Sequence, residues 1–243
     1  MLISVRDVAE AIAAATGGAD IIDIKDPARG SLGAASIETI HSISHHELIR
    51  DRLPVTAALG ELIHLDRDQY EPLGRELRSA GLCLVKIGMS GLANKETGRS
   101  VFFSLHQSIE RHADSLRLMP AAYADAKRAE APPVWEILNW AREATARFLL
   151  VDTFLKDGRG FFSWIDRSEY SELLHACRES SVRLAIAGSL READFEILLD
   201  ESPDVIAVRG AACTGHERNA AIDPTQVHRL RQLIQKDGNS VPQ

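Results

Sequence analysis

In the run Ile21-Ile22-Asp23-Ile24-Lys25-Asp26-Pro27, alternate residues of an extended strand point the same way, so Asp23 and Lys25 share one face and Ile22 and Ile24 the other. A lysine at the end of an otherwise apolar strand is costly unless something uses it. As a neutral amine it would attack a carbonyl carbon and form a Schiff base, which requires its pKa to fall toward about 7–8. Lys86, set in Leu84-Val85-Lys86-Ile87, supplies a second cation whose repulsion would lower that pKa, assisted by burial. Asp23 and Asp152 would then carry protons during imine and enamine chemistry. Taken alone, each of these charges is also consistent with a strand-end cap or a solvated side chain, and Lys156, in a hydrophilic loop, most of all.

The surrounding pattern says what must position them. Short apolar runs at 2–5, 20–25, 54–59, 82–87, 115–122, 147–152, 182–187 and 205–208 read as strands. Helical spacing follows each of them, at 6–16, 35–44, 67–80, 101–111, from Pro132-Pro133 to 146, at 166–180 and 191–199, and from Asp223-Pro224 onward. Such strict alternation predicts a parallel sheet. Eight units in 243 residues suit a single (β/α)8 TIM barrel, which typically takes about 250 residues. An open doubly wound sheet would want a glycine-rich turn after strand one, where Val5 is followed by Arg6-Asp7-Val8. We expect one barrel domain over residues 1–236 and a polar tail over 237–243.

Chemistry in such barrels sits at the C-terminal strand ends. Asp23, Lys25, Glu61, Lys86, Asp125 and Asp152 all fall there, with Lys156 just beyond. Gly188-Ser189 after strand seven and Arg209-Gly210 after strand eight match the usual phosphate position of this architecture. The loop holding Gly30, Ser31 and Gly33 would cradle a second phosphate. Phe161-Phe162 with Trp164 reads as packing or as a lid.

A net charge of -7 argues against a dominant nucleic-acid surface. No apolar run approaches the roughly 18 residues of a membrane span. Cys83, Cys177 and Cys213 are scattered with no CxxC pair, which suits a reducing, cytoplasmic setting. The nine histidines form neither HxH nor HExxH, and GxxxxGK[ST] is missing, so neither a metal nor a cofactor is expected. The expected partner is a small phosphorylated molecule, and apolar helix faces leave a homo-oligomer open.

In several segments the chain resembles the (5-formylfuran-3-yl)methyl phosphate synthases of methanofuran biosynthesis. They are Gly18-Ala19-Asp20-Ile21-Ile22-Asp23-Ile24-Lys25 with Pro27 and Gly30-Ser31-Leu32-Gly33-Ala34, and Leu84-Val85-Lys86-Ile87-Gly88. The others are Val151-Asp152-Thr153 with Lys156-Asp157-Gly158, Ala187-Gly188-Ser189-Leu190 and Val208-Arg209-Gly210-Ala211. They span nearly the whole chain in the family's order, and together they are specific. The resemblance implies a (β/α)8 barrel that condenses two glyceraldehyde 3-phosphates into a furan aldehyde phosphate, releasing phosphate and water, as a carbon–oxygen lyase. It implies Lys25 as the Schiff-base lysine and Asp23, Lys86, Asp152 and Lys156 as the other active-site positions. The alternatives are a class I aldolase acting on another sugar phosphate, which would liberate no phosphate, and a non-catalytic barrel that binds a phosphometabolite.

Overall fold

The computed structural model describes residues 1–93, 95–111 and 116–237. Ser115, expected in strand five, and residues 238–243 of the expected tail lie outside the described residues. Eight parallel strands close a barrel in sequence order. They are β1 (Leu2–Val5), β2 (Ile21–Ile24), β3 (Val55–Glu61), β4 (Leu84–Gly88), β5 (Arg117–Tyr123), β6 (Phe148–Asp152), β7 (Arg183–Ile186) and β8 (Val205–Val208). The seam is closed by β1 against β8, with Leu2 opposite Ala207 and Ile3 opposite Val208. The helices between them are α1 (Val8–Gly17), α2 (Ile37–Ser44), α3 (Tyr70–Ser79), α4 (Lys95–Glu110), α5 (Val134–Glu143), α6 (Arg167–Glu179), α7 (Glu192–Glu201) and α8 (Pro224–Asp237). Among the described residues, no helix is long and apolar enough to cross a membrane.

Strand alternation sorts the side chains into two cores. Ile3, Val5, Ile22, Ile24, Val85, Ile87, Val151, Ile186 and Val208 face outward and are buried by the helices. Leu2, Ala58, Leu84, Met119, Leu150, Ala185 and Ala207 face inward and fill the barrel. Each fully buried aliphatic side chain of this kind is worth about 1.5–3 kcal/mol. The same inward face carries Ser4, Asp23, Lys86 and Asp152 one step further along their strands, with Thr56 of β3 opposite Asp23, and each is buried. The barrel is therefore apolar at its floor and charged at its C-terminal mouth.

Capping fixes where several helices start. Asp7 accepts from the Glu10 N–H ahead of α1, Ser36 from the Thr39 N–H ahead of α2, and Asp166 from the Glu169 N–H ahead of α6. These caps place the starts a residue or two later than spacing suggests. α4 departs the other way and begins six residues before the expected 101. Its polar first turns have no apolar stripe to reveal them, yet Gly98 packs against Leu92 and Trp140. β5 runs one residue past the expected 122, which brings Tyr123 onto the inner face.

α1 and α8 meet at Gly17, where a Cβ would stand 2.5 Å from Val227 Cβ and 2.6 Å from the Pro224 carbonyl oxygen. Gly17→Ala is expected to cost about 1–3 kcal/mol by overpacking this helix pair. A lowered urea midpoint with an unchanged slope would show it.

Candidate active site

Asp23 has no solvent exposure. Its Oδ2 accepts from Ser4 Oγ at 2.9 Å and its Oδ1 from Thr56 Oγ1 at 2.7 Å, one neighbour on each adjacent strand. The Lys86 ammonium, buried on β4, closes an ion pair on the same Oδ1. Two strands on, Asp152 repeats the arrangement. Lys156 Nζ lies 2.5 Å from its Oδ1 and also donates to Thr153 Oγ1 at 3.1 Å. The Thr153 N–H donates to Oδ1 at 2.7 Å, and Ser31 Oγ to Oδ2 at 3.1 Å. Burial pushes the Asp152 carboxyl up, but Lys156 and Lys25 outweigh it and hold it well below the usual carboxylate range. Burial also depresses the Lys156 ammonium, against the pull of Asp152.

Lys25 stands between these two pairs, just past β2, its N–H bonded to the Val5 carbonyl oxygen at 3.0 Å. Its side chain is 6% exposed and faces a cavity of about 520 Å³. Burial is the largest influence on its amine and brings the pKa down from 10.5 to about 7. The Asp152 charge opposes that fall, and Arg218 and then Lys86 reinforce it. Desolvation thus does most of what the sequence assigns to Lys86, whose own charge is committed to Asp23.

The loop residues divide. Gly188, Ser189 and Gly210 line the cavity. Gly188 has φ +108°, and a Cβ there would meet Thr153 Cγ2 at 2.9 Å, so glycine lets the β7 exit pass close against the β6 exit. Gly30, Ser31 and Gly33 do not line it; within that loop only Leu32 does. Ser31 is turned inward to Asp152 and the Thr153 carbonyl oxygen, while Gly33 accepts from the Asp26 N–H at 2.8 Å. Ser31 thus braces Asp152, and the glycines expected to cradle a second phosphate stand outside the cavity lining. Arg209 lines the cavity as well, but its charge is already engaged. Its guanidinium is buried against Glu10, with Nη1 2.8 Å from Oε2 and Nη2 3.1 Å from Oε1, and Nη1 also reaches the Ser4 carbonyl oxygen at 2.8 Å.

Among the described residues, no group of three or more His, Cys, Asp or Glu is placed to hold a metal ion. Glu61 is re-aimed by a bulge between Ala58 and Glu61 and accepts from Tyr123 Oη at 2.5 Å and the Ser90 N–H at 2.9 Å. Asp125 is buried and accepts from the Phe154 and Leu155 N–H groups, fixing the loop that carries Lys156. Phe161 is fully buried and packs edge-on with Phe162 and Tyr170, which makes it core rather than lid. Spacing could have flagged Ser4 and Thr56, the polar residues inside apolar strands. Arg218, on a loop without periodicity, gives no such signal, yet it lines the cavity near Lys25 and Asp152.

A closed (β/α)8 barrel with a buried, low-pKa lysine between two carboxylate–ammonium pairs defines a class of lysine-bearing barrels with a polar cavity at the strand ends. Residues 1–231 match the family model for 4-HFC-P synthase, and the chain belongs to that family. It is 31% identical over 240 residues to the (5-formylfuran-3-yl)methyl phosphate synthase of Methanothermobacter thermautotrophicus, covering 96% of this chain and 98% of that one. It is 32% identical over 225 residues to the protein of the same name from Methanococcus maripaludis, covering 90% and 92%. Among solved structures, phosphoribosyl anthranilate isomerase from Thermus thermophilus superposes with a TM-score of 0.63 at 13% identity, covering 97% and 98% of the two chains. A 3-hexulose-6-phosphate synthase gives 0.60 at 16%, also covering 97% and 98%. These two likenesses show the barrel alone.

Arg209→Ala would leave Glu10 buried without its main partner, and a loss of about 3–5 kcal/mol in unfolding free energy is expected. A direct ligand role for Arg209 would instead raise KM at unchanged stability, so denaturant melts and steady-state kinetics on one sample separate the two.

Proposed function

We propose that the chain condenses two molecules of glyceraldehyde 3-phosphate into (5-formylfuran-3-yl)methyl phosphate through a Schiff base on Lys25, in the biosynthesis of a methanofuran-type one-carbon carrier. The observation that carries the reading is the Lys25 amine, buried, with a pKa of about 7, facing a cavity and flanked by Asp23–Lys86 and Asp152–Lys156. The name shared by the relatives supports the product, and the two glyceraldehyde 3-phosphates are what the family resemblance implies.

The stoichiometry constrains the chemistry. Two triose phosphates become the furan by losing one phosphoric acid and two waters. The product is branched, with its phosphomethyl arm on a ring carbon that was the central carbon of one triose. That triose must therefore react as the ketone tautomer, and the other keeps its aldehyde and loses its phosphate. Neutral Lys25 adds to the aldehyde carbon and water leaves, giving an iminium that acidifies the neighbouring C–H. Asp152, ionised and next to the amine, takes that proton, and phosphate departs from the third carbon. That loss leaves the enol of a 2-oxo imine, whose terminal carbon attacks the ketone carbon of the second triose as the enol hydroxyl gives up its proton. Hydroxyl addition, loss of water and hydrolysis of the imine then release the aromatic product and free Lys25. Lys156 holds Asp152 ionised, and Lys86, paired with Asp23, joins it in supplying protons to departing oxygens.

Incubation with glyceraldehyde 3-phosphate alone is expected to give furan absorbance and stoichiometric free phosphate, with borohydride trapping the adduct on Lys25. Lys25→Ala is expected to abolish both signals. An adduct on another residue, or condensation without phosphate release, sinks the reading. Because the amine must be neutral to attack, kcat/KM is expected to rise with pH through about 7 and then level off. A profile flat between pH 6 and 8 contradicts Lys25 as nucleophile.

A further inference from the structure

The cavity is cationic, and most of that charge is already committed. Lys86 is paired with Asp23, Lys156 with Asp152 and Arg209 with Glu10. At the rim, Arg229 Nη2 lies 2.8 Å from Glu192 Oε2. Lys25 faces the same space with its amine made weakly basic by burial. Arg191, exposed on the rim, has no ion pair among the described residues and donates to the Gly158 carbonyl oxygen; Arg218 is the more buried of these two uncommitted guanidiniums. It is half-buried and lines the cavity, and among the described residues no carboxylate lies within ion-pair distance of it. Its Nη2 donates at 3.3 Å to the Gly30 carbonyl oxygen, a neutral acceptor. Its charge nevertheless acts on both Lys25 and Asp152.

The backbone beneath Arg218 is gripped. Arg209 Nε donates to the Arg218 carbonyl oxygen at 2.9 Å, and Arg6 Nη1 to that of Asn219 at 3.0 Å. Arg6 also reaches the Ala220 carbonyl oxygen, at 3.3 Å. Both arginines are anchored on the one buried carboxylate of Glu10, so three successive carbonyls are fixed from below. A guanidinium left without a counter-charge over a polar cavity, on a loop braced this firmly, is preorganised for an anion. Its planar fork suits the oxygens of a phosphate ester.

We propose that Arg218 is the ligand of a substrate phosphate group in this cavity, held in place by the Glu10–Arg6–Arg209 cluster through the main chain of residues 218–220. Identifying that phosphate with a triose rests on the function proposed above; the anion site itself rests on the geometry. Gly188, Ser189 and Gly210 offer backbone to a phosphate, and Arg218 supplies the charge that the sequence assigns to Arg209.

The test is calorimetric titration of the full chain with inorganic phosphate. Wild type is expected to bind it, Arg218→Ala to weaken binding by at least about tenfold, and Arg218→Lys to recover part of the loss. Borohydride trapping rates at Lys25 give a second measure. The preference for glyceraldehyde 3-phosphate over unphosphorylated glyceraldehyde is expected to fall by a similar factor in Arg218→Ala. Equal phosphate affinity in wild type and Arg218→Ala, or no phosphate binding by wild type, overturns the proposal. Arg218-dependent phosphate binding by a chain that makes no furan overturns the triose reading and leaves the anion site standing.

Discussion

A carboxylate sealed inside a barrel is costly unless other groups direct protons at it, and Asp23 has three that do. Ser4 and Thr56 donate from the neighbouring strands, and Lys86 contributes a full charge. Removing any of them would leave a buried charge short of a partner, a far larger cost than the pair gains by forming. The register of β1 to β4 is therefore tied to this one side chain. A slip by one residue would turn every partner toward the helices.

The rest of the mouth follows the same accounting with different elements. Asp152 draws on Ser31 from the loop after β2 as well as on Lys156 four residues downstream. The segment bearing Lys156 is held in turn by Asp125, whose carboxylate takes the Phe154 and Leu155 N–H groups. Beyond it, Asp157 pairs with Arg128 and Arg159, and both guanidiniums lie over the Trp164 ring at 5.0 and 4.7 Å. An ammonium on a loop is only as well placed as the loop, and this one is fixed on both sides.

What the sequence could and could not reveal follows from range. Alternation along a strand is a local property, so Asp23 and Lys25 were legible as neighbours on one face, and eight apolar runs were enough for the barrel. Whether Arg209 faces a ligand or a carboxylate depends on Glu10, 199 residues away, which no local pattern reports. Ser31 sits in a loop whose glycines suggest a phosphate cradle, yet its partner is Asp152, 121 residues on. The early turns of α4 were missed because they lack an apolar stripe, and Arg218 because coil has no period.

Burying Lys25 also couples the fold to protons. In the unfolded chain its amine titrates near 10.5, and in the barrel near 7. Between those values the unfolded state binds the extra proton, so stability rises with pH across that window, by about 1.4 kcal/mol for each unit of pKa difference. Below about pH 7 the penalty of an enclosed ammonium is present in full, and it fades as the pH climbs toward 10.5. The two effects occupy successive windows: the amine in the barrel loses its proton around pH 7, whereas the gain in stability comes above it, as the amine of the unfolded chain gives up its own.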